Sequence, residues 1–164
     1  MPPLNSDLFA QTKKCVSPKQ MALLNDVDTL ISSLKNNSFS DYSFLVAPAA
    51  KAYEGYLKYF FLKIGLIDQY QYQSDRFRVG KTLNPSLRFK RFSIFQKLID
   101  LDDSGEELAE LLWDGWKFGR NQIFHYFPNK LKRISLPEAK NRIALILNAI
   151  LKCHQFLARV QPKY

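Results

Sequence analysis

Arg120, Asn121 and His125 fall within the stretch WDGWKFGRNQIFHYFPN, residues 113–129, and carry the residue types that cleave a phosphodiester. An arginine offers a planar fork of donors to a phosphate and to the extra charge of its transition state. A histidine exchanges a proton near neutral pH, taking it from a ribose 2′-hydroxyl or giving it to the leaving 5′-oxygen. Asn121, one turn before His125, can bind a phosphate oxygen or hold the imidazole. On a helical wheel with Lys117 as origin, Asn121 falls at about 40°, His125 at about 80° and Arg120 at about −60°. These four polar residues share one broad face. Gly115 and Gly119 lie near the opposite side with Leu108 and Leu112, where a neighbouring helix can approach closely. Spacing alone leaves a plainer reading open, with His125 favoured by the helix C-terminus and Arg120 a solvated charge.

A second pattern lies upstream. Glu54 and Lys58 stand four residues apart, the favoured helix pair, and Lys51 shares their face. By themselves they read as a solvated surface.

Together the two patterns carry a resemblance. Arg120-Asn121-Gln122-Ile123-Phe124-His125 is similar to the Arg-polar-x-x-x-His signature of the HEPN (higher eukaryotes and prokaryotes nucleotide-binding) superfamily. Glu54-Gly55-Tyr56-Leu57-Lys58 is similar to the Glu-x-x-x-Lys element that many HEPN ribonucleases carry on an earlier helix. The text AAKAYEGYLKYFFLKIGL, with Lys51 one turn before the Glu, resembles the HEPN domain of RNase LS-type toxins. The resemblance covers about residues 43 to 160 and leaves the N-terminal extension unexplained.

It implies an all-α dimeric fold and a metal-independent endoribonuclease, with no cofactor. It also implies a toxin of a toxin–antitoxin or phage-defence pair, whose partners are RNA and a cognate antitoxin protein. In that frame His125 is the general base or acid, Arg120 binds the scissile phosphate, Asn121 orients, and Glu54 orients or polarises the Arg or His. Lys51, Lys58 and Lys117 would meet RNA. One departure stands out: the Tyr that nucleotidyltransferase antitoxins modify sits two positions after the His in such toxins, and here Phe127 occupies that place. The Tyr is Tyr126, directly after the His, suited to packing or to base stacking. The alternative to catalysis is a HEPN module that binds RNA, a nucleotide or an acidic protein.

The chain has 164 residues and 24 Lys plus Arg against 15 Asp plus Glu, a formal charge of +9. A small basic protein is predisposed to polyanions, and an acidic protein partner is the competing explanation. The stretch 68–91 concentrates this charge in Arg76, Arg78, Lys81, Arg88, Lys90 and Arg91, with Tyr70, Tyr72, Phe77 and Phe89 interleaved. Such a mixture suits either a solvated connection or a groove for single-stranded RNA. Two Cys and two His exclude a disulfide-dense scaffold and a four-cysteine zinc site. His154 beside Cys153 reads as a core or surface pair, and Trp113 and Trp116 read as packing. No apolar run approaches the roughly 18 residues of a membrane span, and the N-terminus lacks an apolar signal core. The expected compartment is the cytoplasm.

Four main helices must position these groups. Residues 1–18, with Pro2, Pro3 and Pro18, read as a loosely ordered arm. Ser17 and Pro18 open a helix whose stripe is Met21, Leu24, Val27, Leu30, Ile31 and Leu34. A second spans about 43–67, with Pro48 near its start and Gly65 near its end. Residues 68–91 form a long connection with a short helix or hairpin, and Ile94, Leu98 and Ile99 a short helix. Asp103 or Ser104 caps a third main helix running from Gly105 to about Phe124, stopped by Pro128. Ser135-Leu136-Pro137-Glu138 opens the last, which is strongly apolar. The expected fold is an all-α, HEPN-like bundle of four to five helices with a basic loop insertion. Residues 1–42 form an N-terminal arm and helix, and 43–164 the helical domain. The expected unit is a homodimer, because one motif His cannot both remove and deliver a proton.

Overall fold

The structure, a computed structural model, describes residues 4–34, 38–125, 128 and 133–160, and every regular element among them is helical. Ser17 caps α2 (Pro18–Ser33) through a reciprocal capping box with Gln20. Helix α3 (Ser43–Lys63) presents Leu45, Val46, Ala49, Tyr53, Leu57 and Phe60 to the interior. It ends at Lys63, earlier than residue 67. Ser135 caps α9 (Leu136–Arg159), which buries Ile143, Ile146, Leu147 and Ile150. Helices α3 and α9 pack on each other at the centre, with α2 on α3 and α7 (Gly105–Trp116) on α9.

The N-terminal segment is more ordered than its prolines suggest. Asn5 accepts from the Leu8 amide at 2.8 Å and starts α1 (Ser6–Lys13). Leu8 and Phe9 are buried in the same apolar cluster as the rest of the molecule, and α1 lies on α9. Thr12 spends its hydroxyl on the Leu8 carbonyl at 2.7 Å, so its burial leaves no donor unmet. Lys13 meets Asp28 of α2 at 3.1 Å.

The start of α3 has no side-chain cap of its own and is tied from outside. Asp41 Oδ1 accepts from the Ser43 hydroxyl at 2.8 Å, the Ile134 amide at 3.1 Å and the Ser43 amide at 3.2 Å. The Tyr42 amide donates to the Ile134 carbonyl at 3.0 Å. This clasp fixes the entrance of α3 to the residues that lead into α9.

The connection after α3 resolves into α4 (Gln69–Gln73), α5 (Val79–Thr82) and a 3₁₀ turn at Pro85–Leu87; no strand occurs among the described residues. Short α6 (Ile94–Ile99) follows, capped by Ser93. The third main helix is not continuous. Helix α7 passes at Lys117 into a π turn over Lys117–Asn121 and then into α8 (Gln122–Phe124), stopping before Pro128. Ser104 stands at the N-cap of α7 but donates its hydroxyl to Asp102, so the expected side-chain cap is absent.

Candidate active site

The π turn sits inside the motif. The Gln122 amide reaches the Lys117 carbonyl five residues back, one residue more than an α-helical step. That wider turn takes the Phe118 carbonyl out of the regular ladder. Arg142 of α9 supplies the missing donor, its Nη1 lying 2.7 Å from Phe118 O. Glu138 holds the same guanidinium from the other side at 2.5 and 3.2 Å. The Arg142 side chain is 11% exposed, so this is an interior brace. Sequence reasoning missed Arg142; its trace was the Glu138–Arg142 spacing, which any surface helix pair shares.

The small-residue face packs as its spacing predicts. Gly115 lies against Tyr53 of α3, whose hydroxyl donates to the Leu112 carbonyl at 3.0 Å. A methyl at Gly115 would stand 2.9 Å from that hydroxyl oxygen, so a bare backbone is needed for α7 to close on α3. Gly119 faces Ile146 of α9.

The polar side resolves into two pairs. Arg120 turns toward α3, its Nε 3.7 Å from Glu54 Oε2, each side chain about one-third exposed (36% and 34%). Its guanidinium carbon lies 5.0 Å from the Trp116 ring centre and 5.8 Å from that of Phe124. Two aromatic faces and a carboxylate thus hold the charge in one orientation. His125 follows α8 in extended backbone, and its Nε2 lies 2.9 Å from Asn121 Oδ1. With that oxygen accepting, the Nε2–H of His125 is the donor. Trp116 is buried, as a packing residue, yet it also forms the bed for Arg120. That second role needed the fold to see.

A cleft of about 400 Å³ opens beside Arg120. Leu23 and Asp26 of α2, Pro48, Lys51 and Glu54 of α3, and Arg120 and Phe124 bound it. Asn121 and His125 lie outside its walls, and Phe124 is 52% exposed at its mouth.

Other sequence candidates lie elsewhere. Lys58 leaves Glu54 and donates to the Ser74 carbonyl at 3.3 Å, its ammonium 6.0 Å from the Phe77 ring centre. Lys117 lies over Phe118 at 5.1 Å. Arg76 and Arg78 border a different groove, and Arg88, Lys90 and Arg91 are exposed beyond it. Tyr126 lies outside the described residues. Cys153 is buried, which pushes its thiol far up, and His154 is exposed beside it. Among the described residues no helix is long and apolar enough to cross a membrane.

No family profile, no curated protein and no solved structure matches this chain. The functional reading therefore rests on its own residues.

Proposed function

We propose that this chain is a metal-independent endoribonuclease of HEPN type, the toxin of a toxin–antitoxin or phage-defence pair. The observation that carries the reading is the 3.7 Å approach of Glu54 to Arg120. Two motif elements far apart in sequence, each of which has a plain surface explanation alone, meet at one cleft. A solvated helix pair would have kept Glu54 with Lys58.

In the proposed reaction Arg120 donates to the non-bridging oxygens of the scissile phosphate and stabilises the charge that builds there. His125 removes the ribose 2′-proton, the 2′-oxygen attacks phosphorus, and the bond to the 5′-oxygen breaks. A second histidine delivers the proton to that oxygen. The products are a 2′,3′-cyclic phosphate and a 5′-hydroxyl. The second histidine comes from a partner copy, so the working unit is a homodimer with a composite site. Lys51 at the cleft rim draws the strand in, and an acidic antitoxin surface would compete for the same charge.

The test is cleavage of end-labelled RNA in EDTA by wild type, Arg120→Ala and His125→Ala. The wild type should cut, and both variants should lose cleavage while keeping helical content and melting temperature. RNA bound without cleavage by the wild type would make the chain a binding module instead.

A further inference from the structure

We propose that the groove between α4, α5 and α6 is a binding site for single-stranded nucleic acid, distinct from the cleft beside Arg120. The groove encloses about 390 Å³, the scale of a nucleotide rather than of a duplex. Arg76, Arg78, Lys81 and Lys97 stand in its walls, and none of its lining residues is a carboxylate. Four cations among lining residues that include no carboxylate make a positive field for phosphates. Tyr70 and Phe92 stand among them, 80% and 40% exposed.

Of the two acids that flank the groove in sequence, Asp68 is turned to structural work, whereas Asp75 takes part through its main-chain carbonyl. Asp68 accepts from the Gln71 amide at 2.7 Å to cap α4, and the Asp75 carbonyl accepts from the Arg78 guanidinium. The Lys81 ammonium lies 4.8 Å from the Phe92 ring centre, which sets a cation and an aromatic face side by side. Beneath them Lys58 donates to the Ser74 carbonyl and braces the turn between α4 and α5.

Cations that track a phosphate backbone, interleaved with exposed rings, are the arrangement that holds unpaired bases. A duplex keeps its bases stacked inside and leaves the rings nothing to engage. An acidic peptide satisfies the cations but offers Tyr70 no planar base. Helix α5, which contributes Lys81 and Thr82 to the groove, also touches the residue on which Arg120 rests. Gly80 of α5 has no side chain because the Trp116 indole occupies that space, and Trp116 carries Arg120.

The test is fluorescence anisotropy with a labelled short oligothymidylate. It lacks a 2′-hydroxyl and cannot be cut by the proposed reaction, so failure here is separate from failure of the ribonuclease reading. Wild type should bind it more tightly than a duplex of equal charge. The Tyr70→Ala variant should weaken single-strand binding about tenfold and leave duplex binding unchanged. The Lys81→Ala/Lys97→Ala double variant should reduce the slope of log affinity against log salt by about 1.4, two phosphates at about 0.7 each. Neutralising Arg88, Lys90 and Arg91, which lie outside the groove, should reduce it less. Equal affinity for duplex, no effect of Tyr70→Ala, or equally tight binding of polyglutamate would each overturn the proposal, the last in favour of an acidic protein partner.

Discussion

Glu54 and Arg120 face each other across the junction of α3 with the π turn, and Arg120 is also bedded on Trp116. A pair this exposed adds little to stability, about 0–1 kcal/mol. Its consequence is orientation. The Glu54→Gln variant should lose no more than about 2–4 °C of melting temperature. It should bind RNA as well as wild type or better, since one negative charge is gone, while cleavage turnover falls about tenfold or more. Weaker RNA binding with unchanged turnover would show that Glu54 does not position Arg120.

Arg142 should behave differently because its side chain is only 11% exposed. The Arg142→Ala change strands the Phe118 carbonyl and leaves Glu138 without its partner, at a cost of about 1–3 kcal/mol. The Arg142→Lys variant keeps the charge but cannot bridge both acceptors with a planar fork. It should recover part of the stability and little of the cleavage. Thermal melts and cleavage rates measured together test this, and full activity in both variants would show that the brace is irrelevant to the site.

Mixed dimers test the composite site. Wild-type chains combined with His125→Ala chains should show activity well below half of wild type if each phosphate needs both histidines. Independent sites predict about half. A fully active monomer at assay concentration would refute the dimeric arrangement.

Tyr56 offers a stability prediction free of the functional reading. Its hydroxyl is buried with no hydrogen-bond partner among the described residues, and burial raises its pKa far above the ordinary phenol value. Removing an unmet polar group while keeping the ring should help. Calorimetry of Tyr56→Phe should show a gain of about 1 kcal/mol, or roughly 2–4 °C. A lower melting temperature would reveal a partner for the hydroxyl.

Asp41 sets an acid sensitivity. Burial alone would raise its pKa, but hydrogen bonds from Ile134 and Ser43, with the Arg133 charge, outweigh it and hold the carboxyl below its usual value. A depressed carboxylate stabilises the fold above its unfolded pKa, about 3.9, and that contribution disappears as pH falls through the folded value. Denaturant melts between pH 7 and pH 2 should show Asp41→Asn less stable than wild type at neutral pH. The gap should narrow below about pH 4. A gap that does not vary with pH would mean that the Asp41 charge is not what holds the clasp.

The helices most legible in the sequence were those whose signals agree. Ser17-Pro18 before one stripe and Ser135-Leu136-Pro137 before another give both a start and a face, and α2 and α9 follow. Helix α1 was hidden because eight residues hold barely two turns, and the prolines around it read as disorder. The π turn was invisible for a related reason: five residues are too few for a period to be distinguished from 3.6. Of the candidate site, the residue types on the 117–125 face were readable, and so was the packing of Gly115 and Gly119. The division of that face into an Arg120–Glu54 pair and an Asn121–His125 pair was not. It depends on where α3 stands, and no local pattern encodes that.

The turn at Lys117–Asn121 makes chain length, and not residue identity alone, a sensitive property of this helix. By α-helical reckoning the segment holds a supernumerary residue. Deleting any one of its five positions would let the ordinary ladder close through to Phe124. His125 would then be rotated by about 100° and drawn back about 1.5 Å against the bed that Trp116 provides. An insertion or deletion of a single codon there would therefore separate the two halves of the motif even with Gly119, Arg120 and Asn121 all kept.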